Sequence, residues 1–255
     1  MKVVILAGGY GTRLGEYTDI VPKPMVKVGN HPIIWHIMNH YAHFGHKEFI
    51  IALGYKGDVI KDYFLNYKSL NSNFKVSLKD GSVKTYESPE LDWEVTLVDT
   101  GEKTMTGGRV KNIKNYIGNE SFMLTYGDTL SNVNILELVK YHKENKKMIT
   151  MTAVRPNARF GELEIKDGIV KEFIEKPQLH EGWINGGFFV IEPEFINFID
   201  GDETFLEKEP IEKAVKLKEV MAFQHKGFWQ CMDTKREHDL LNILWDTDSP
   251  PWLKF

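Results

Sequence analysis

Gly8, Gly9 and Gly11, with Arg13 behind them and Lys23 set between Pro22 and Pro24, are the residues of this chain best suited to hold phosphate. Glycine backbone turns sharply and approaches a ligand with no side chain in the way. Successive main-chain N–H groups in such a loop make a concave anion cradle. A guanidinium adds a planar fork that matches phosphate oxygens, and an ammonium adds a point charge. Pro24 biases Lys23 toward extended backbone, so its side chain is presented from a stiff segment. The stretch Leu6-Ala7-Gly8-Gly9-Tyr10-Gly11-Thr12-Arg13, with Lys23, therefore reads as a nucleoside triphosphate site. Spacing excludes two familiar phosphate loops. No Lys-Ser/Thr pair follows the glycines as a P-loop requires. Leu14 stands where a dinucleotide fingerprint needs its third glycine.

Three later segments carry further chemistry. Phe122 to Tyr126 is an apolar strand ending in Gly127-Asp128. Asp128 there suits either a hard oxygen ligand for Mg²⁺ or a turn or N-cap aspartate. Asp233, at the end of the aromatic stretch from Met221, is its natural partner, because Mg²⁺ in nucleotide sites takes one or two carboxylates plus phosphate oxygens. Thr100 to Arg109 reads as a flexible loop entering a helix from Val110 to Tyr116. The Gly107-Gly108 pair at that helix start offers N–H groups to an anion or a base edge.

The pattern L-A-G-G-x-G-T-R-L followed by P-K-P-M resembles the sugar-phosphate nucleotidyltransferases, which join a nucleoside triphosphate to a sugar 1-phosphate. The similarity runs from residue 2 to about 245, through LVDTG, MTGGR, LTYGD, EKP, INGGFFV, GFWQ and MDT in the expected order. Within the family it is greatest to members that join CTP to α-D-glucose 1-phosphate, giving CDP-glucose and pyrophosphate. The resemblance implies that Thr104 and Arg109 complete the nucleotide pocket and that Asp128 and Asp233 hold Mg²⁺. It also implies that Glu175, Lys176, Asn185 and Gly186 line the sugar-phosphate half. It makes Arg13, Lys23 and Asp128 the catalytic set, and a homo-oligomer, with a hexamer as one form, the assembly. Cys231 stands where the family pattern has proline, a departure from it. A uridylyl- or thymidylyltransferase, and a nonenzymatic sugar-nucleotide sensor, are the alternatives.

The elements that must position these residues alternate between short β-branched runs and amphipathic segments. Val3 to Ala7, Lys47 to Leu53 and Phe122 to Tyr126 read as buried strands, and Trp93 to Asp99 and Met148 to Val154 as further strands. Helical spacing predicts helices over His31 to Phe44, Val59 to Tyr67, Ile135 to His142 and Thr234 to Trp245. This rhythm predicts an α/β three-layer sandwich on a mixed, mainly parallel, Rossmann-like sheet. A small antiparallel part comes from residues 160 to 190, where an Asp167-Gly168 turn marks a hairpin, and Phe188 to Ile191 forms another strand. Residues 68 to 92 break the rhythm and read as an excursion, a hairpin among its forms.

At 255 residues, with no repeat or linker, the chain reads as a single domain, 1–255. A net charge of −4 argues against a nucleic-acid partner, yet leaves room for a few local cations. One cysteine excludes an intrachain disulfide and fits a reducing compartment; among apolar neighbours it reads as a packed thiol. No apolar run is long enough for a signal core or a bilayer span, so the expectation is a cytoplasmic protein with no membrane partner. His31, His36, His40 and His43 read as surface and boundary residues of their helix rather than metal ligands, since no carboxylate completes an H-E-x-x-H pattern. The tail from Ser249 to Phe255 is expected to pack across a surface or a neighbouring subunit.

Overall fold

The computed structural model describes residues 1–86, 91–156, 162–166, 169–174 and 182–254. Its principal sheet is built from β1 (Val3–Ala7), β2 (Glu48–Leu53), β3 (Glu94–Asp99), β4 (Phe122–Tyr126), β5 (Ile149–Val154), β6 (Ile184–Ile191) and β7 (Val220–His225). Their order across the sheet is β7-β5-β6-β4-β1-β2-β3. β1 lies parallel to both β2 and β4, β2 to β3, and β5 to β7. β6 runs antiparallel to its neighbours β4 and β5, which makes the sheet mixed.

The unbroken apolar run of β1 follows from burial on both faces, for all five residues are buried. Side chains alternate across a strand, so Val3, Ile5 and Ala7 enter one core cluster while Val4 and Leu6 enter the other. The first cluster takes Ile33, Ile34 and Ile37 of helix α1 (Ile33–His43). The second takes Val110 of a helix described below, Ile113 and Ala214. Helices on both sides of a sheet give three layers, as the alternating sequence predicts.

Several boundaries and burials differ from the sequence expectation. His36 and His40 are not surface residues: they are buried, and their Nε2 atoms lie 2.9 Å from the carbonyl oxygens of Val28 and Val133. Both side chains thus bind α1 to neighbouring segments, a satisfied core role that helical spacing alone does not distinguish from a boundary role. The second helix, α2, spans Gly57–Leu65, and α3 spans Thr106–Asn112, starting four residues before Val110. The excursion holds a hairpin of Asn73–Val76 with Val83–Tyr86. Glu162–Lys166 pairs antiparallel with Ile169–Ile174, while the Asp167-Gly168 turn lies outside the described residues. β6 begins at Ile184, which carries Asn185, Gly186 and Gly187 into the strand itself. The remaining longer helices are α4 (Ile135–Asn145), α5 (Glu209–Lys216) and α6 (Lys235–Trp245). Trp252 of the tail is 1% exposed and joins the first core cluster, so the tail packs into its own chain. Among the described residues, no helix is long and apolar enough to cross a membrane.

Candidate active site

β1, β2, β3 and β4 run in one direction, so their carboxyl ends gather at one edge, where open α/β sheets place ligands. A cavity of about 520 Å³ opens there. It is lined by the loop after β1, from Leu6 to Arg13, by Lys23, by Thr104 and Arg109, and by Asp128 and Asp233. The phosphate-suited residues singled out in the sequence therefore share one concavity with both carboxylates.

Gly11 shows why the loop needs glycine. Its φ of 64° is left-handed, and a Cβ there would lie 2.9 Å from Thr18 Cγ2 and 3.1 Å from Lys23 Cβ. The chain then forms a single 3-10 turn over Thr12–Leu14, leaving the Arg13 side chain 71% exposed beside the cavity. Lys23 departs from expectation. It opens a 3-10 turn, Lys23–Met25, rather than lying extended, because Met25 N–H donates to Pro22 O at 2.8 Å and Val26 N–H to Lys23 O at 3.1 Å. These closed turns outweigh the steric bias imposed by Pro24.

The two carboxylates meet through pairing, not sequence proximity. Thr129–Ser131 forms an antiparallel pair with Trp229–Cys231, and Met232 N–H donates to Asp128 O at 2.9 Å. Asp233 is next in the chain. Its backbone is held by a capping box at the start of α6, in which Glu237 Oε2 accepts from the N–H groups of Asp233 and Thr234 at 2.8 and 2.9 Å. The T-x-x-E spacing of Thr234 and Glu237 was a readable signal for this support.

Lys23 Nζ lies 2.6 Å from Asp128 Oδ2 and 2.5 Å from Asp233 Oδ1, and Arg13 Nη1 lies 2.9 Å from Asp233 Oδ2. Burial works against the Lys23 charge, but the two carboxylates outweigh it and hold its pKa above the ordinary value. Two carboxylates converging on a single cationic atom also fit a divalent ion with phosphate oxygens completing its shell. Among the described residues, no group of three or more His, Cys, Asp or Glu side chains is placed to hold a metal ion. Cys231 also lines the cavity, but burial pushes its thiol up to about 12 and leaves it a poor nucleophile at neutral pH.

The loop at the start of α3 behaves differently from expectation. The N–H groups of Met105 and Gly107 donate to Asp202 O and Thr204 O at 2.7 and 2.9 Å, and Gly108 N–H donates to Thr204 O at 3.3 Å. A Cβ on Gly107 would meet Thr204 O at 2.7 Å, so this glycine pair admits a neighbouring loop rather than an anion. Arg109 is 4% exposed. Its Nη1 donates to Leu53 O, Thr100 Oγ1 and Gly101 O, and its Nη2 to Gly8 O and Glu102 O, at 2.7 to 3.2 Å. One guanidinium thereby ties together the loops that leave β1, β2 and β3.

Asn185 and Gly186 stand behind the cavity wall, each bonded to a residue that lines it. Asn185 Nδ2 donates to Tyr126 Oη at 3.2 Å, and Trp229 Nε1 donates to Gly186 O at 2.7 Å. Tyr126 and Trp229 both line the cavity and were not singled out by spacing or residue type. Glu175 and Lys176 lie outside the described residues.

The nucleotidyl transferase family model matches residues 2–243, nearly the whole chain. The chain belongs to this family. It is 47% identical over 253 residues to glucose-1-phosphate cytidylyltransferase of Salmonella typhimurium, covering 99% of this chain and 98% of that protein. It is 41% identical, with 99% of each chain covered, to the probable glucose-1-phosphate cytidylyltransferase of Bacillus subtilis. The fold is also shared with HddC from Yersinia pseudotuberculosis, at a TM-score of 0.69 and 24% identity, covering 96% of this chain and 99% of that one.

Proposed function

We propose that this nucleotidyltransferase transfers a cytidylyl group from CTP to α-D-glucose 1-phosphate, releasing pyrophosphate and forming CDP-glucose. The observation that carries the chemistry is Lys23 held between Asp128 and Asp233 at the mouth of the glycine loop. The choice of base and sugar is supported by the near full-length similarity to the cytidylyltransferases.

The sugar phosphate is already ionised, so its oxygen attacks the α-phosphorus in line with the leaving pyrophosphate and no general base is required. The work of the protein is to bring two anions together and to stabilise charge on the nonbridging and leaving oxygens. Lys23 serves the phosphates at the reacting centre, and exposed Arg13 serves the pyrophosphate end. Backbone N–H groups from Gly8 to Gly11 cradle the triphosphate. Asp128 and Asp233 are the residues that would hold Mg²⁺, which supplies neutralising charge at phosphate oxygens when bound. Arg109 keeps the nucleotide loops in register, and Asn185 with Gly186 faces the hexose. Glu175 and Lys176 complete the sugar-phosphate half in this reading. Sedimentation analysis reads the homo-oligomer that the resemblance implies.

Pyrophosphate release with each of the four triphosphates and glucose 1-phosphate tests the proposal. Cytosine presents an exocyclic amine where uracil presents an oxygen acceptor, and each mismatched buried contact costs roughly 1–3 kcal/mol. CTP is therefore expected to outpace UTP by about tenfold or more at equal subsaturating concentration. A UTP rate at or above the CTP rate overturns the cytidylyl assignment and leaves the nucleotidyltransferase standing.

A further inference from the structure

Glu207 belongs to none of the motifs that point to the site, yet its carboxylate joins two walls of the cavity. Oε2 accepts from Thr106 Oγ1 at 2.7 Å, on the nucleotide side. Oε1 accepts from Tyr126 Oη at 2.7 Å, at the end of β4. Thr106 and Tyr126 both line the cavity, and they are 101 and 81 residues away from Glu207 in the chain. An exposed glutamate is ordinarily a solvated surface charge. One whose two oxygens are committed to two separate cavity-wall hydroxyls is not placed by solvation.

The hydrogen-bond inventory gives this arrangement a direction. A tyrosine hydroxyl has one proton to donate, and here it goes to Glu207. Toward Asn185 the same oxygen can only accept, which requires the amide nitrogen of Asn185 to face it, as the 3.2 Å Nδ2–Oη contact has it. Asn185 Oδ1 accordingly accepts from Gly187 N–H at 2.9 Å. One amide proton of Asn185 remains uncommitted within this set of contacts.

We propose that Glu207 is a positioning residue that, through Tyr126, fixes the Asn185 amide with its N–H toward the sugar 1-phosphate and joins that half of the cavity to the nucleotide loop through Thr106. This rests on the reading of Asn185 as a sugar-facing residue. A neutral amide in place of the carboxylate breaks the pattern. A glutamine has a single acceptor oxygen for two donating hydroxyls, and its NH₂ group turns one of the two contacts around. If Tyr126 then accepts from the glutamine, its proton opposes the Asn185 N–H.

The test uses the full-length enzyme with Mg²⁺, CTP and glucose 1-phosphate. Glu207→Gln and Tyr126→Phe are each expected to raise the KM for glucose 1-phosphate about 3- to 10-fold, with the thermal midpoint held near that of the parent. Each should add little to Asn185→Ala in a double-mutant cycle, because all three act on the same donor. Unchanged KM values, or effects fully additive with Asn185→Ala, overturn the proposal. A second measurement separates it from the sugar assignment. In the substrate-free enzyme, the Asn185 side-chain amide resonance, identified by its loss in Asn185→Ala, should shift in Glu207→Gln. If Asn185→Ala leaves the sugar KM unchanged, the sugar-facing reading fails, and the proposal with it, since its donor then serves no substrate. An unmoved resonance alongside a sugar KM that does respond to Asn185→Ala sinks the role of Glu207 alone.

Discussion

The two walls of the cavity are built in opposite ways. One comes from a short continuous stretch: the loop after β1, the Arg13 turn and Lys23 lie within 18 residues of one another, from Leu6 to Lys23. The other is assembled from Tyr126, Asp128, Trp229 and Asp233, with Asn185 and Glu207 bonded behind Tyr126, and these meet through strand pairing and side-chain bonds between distant segments. The first wall depends on backbone conformation, which local residue types set, and on one distant clamp, Arg109. The second depends on register. A slip of the Thr129–Ser131 and Trp229–Cys231 pairing would move Asp233 away from Asp128, whatever the residues themselves prefer. A site split this way is expected to fail differently on its two sides.

The largest effect should come where the walls meet. Asp128→Asn keeps the shape and removes the charge that faces Lys23, so turnover should fall by roughly 100-fold or more with the fold retained. Steady-state rates across a Mg²⁺ titration, with circular dichroism as the control, measure it. Near-parental turnover at limiting Mg²⁺ would remove Asp128 from the chemistry. Lys23→Ala tests the first wall's side of the same junction, since Lys23 pairs with both carboxylates. Loss of a charge-assisted phosphate contact is worth roughly 1.5–3 kcal/mol, or about 10- to 150-fold in kcat/KM. An unchanged kcat/KM would reduce Lys23 to a structural counter-charge.

Gly8 and Gly9 sharpen the comparison within that wall. A Cβ on Gly8 would lie 2.2 Å from Arg109 Cζ, whereas one on Gly9 meets nothing within 4 Å. Gly8→Ala should cost roughly 1–3 kcal/mol by displacing the guanidinium that holds three loops, and Gly9→Ala should leave stability nearly untouched. Denaturant midpoints of the two variants compare them directly, and equal midpoints would contradict the clamp.

Acid should loosen both walls together. His36 holds Val28, downstream of Lys23, and His40 holds Val133, downstream of Asp128. Burial lowers both pKa values to about 4, against an ordinary value of 6.5. The unfolded chain therefore binds more protons between those values. The stability contributed is present above about pH 6.5 and declines toward pH 4, by roughly 1–2 kcal/mol per histidine between pH 7 and pH 5. Urea midpoints at the two pH values, with His36→Gln and His40→Gln as comparators, read this loss. A midpoint independent of pH in the parent would exclude it. The smallest effect is expected on the second wall. Asn185→Ala should raise the KM for glucose 1-phosphate by about 2- to 13-fold, the worth of one neutral hydrogen bond, with the KM for CTP nearly unchanged. Equal damage to both substrates would show that the halves are not separate.

The sequence by itself carried the α/β alternation, the buried character of β1 and β2, and the glycine loop and cations of the first wall, though not the turn that Lys23 adopts or the Arg109 clamp. In those places the physical cause is local: apolar periodicity reports which faces are covered, and glycine and proline report backbone geometry residue by residue. It also marked Asp128 and Asp233 as carboxylates at suitable positions, since residue type is enough to nominate a ligand. Tertiary structure alone decided the rest. Gly107 and Gly108 read equally well as an anion-binding helix start and as a contact point for another loop, and only the position of Thr204 separates the two. Arg109 could face a ligand or the main chain, and five accepting groups from three strand ends settle which its N–H groups use. His36 and His40 share helical spacing with exposed His43, so their burial depends on what packs over α1, including Trp252 from the far end of the chain. Glu207 has the composition of a surface residue, and its two partners are brought to it by contacts spanning 81 and 101 residues, a distance over which no local pattern can report.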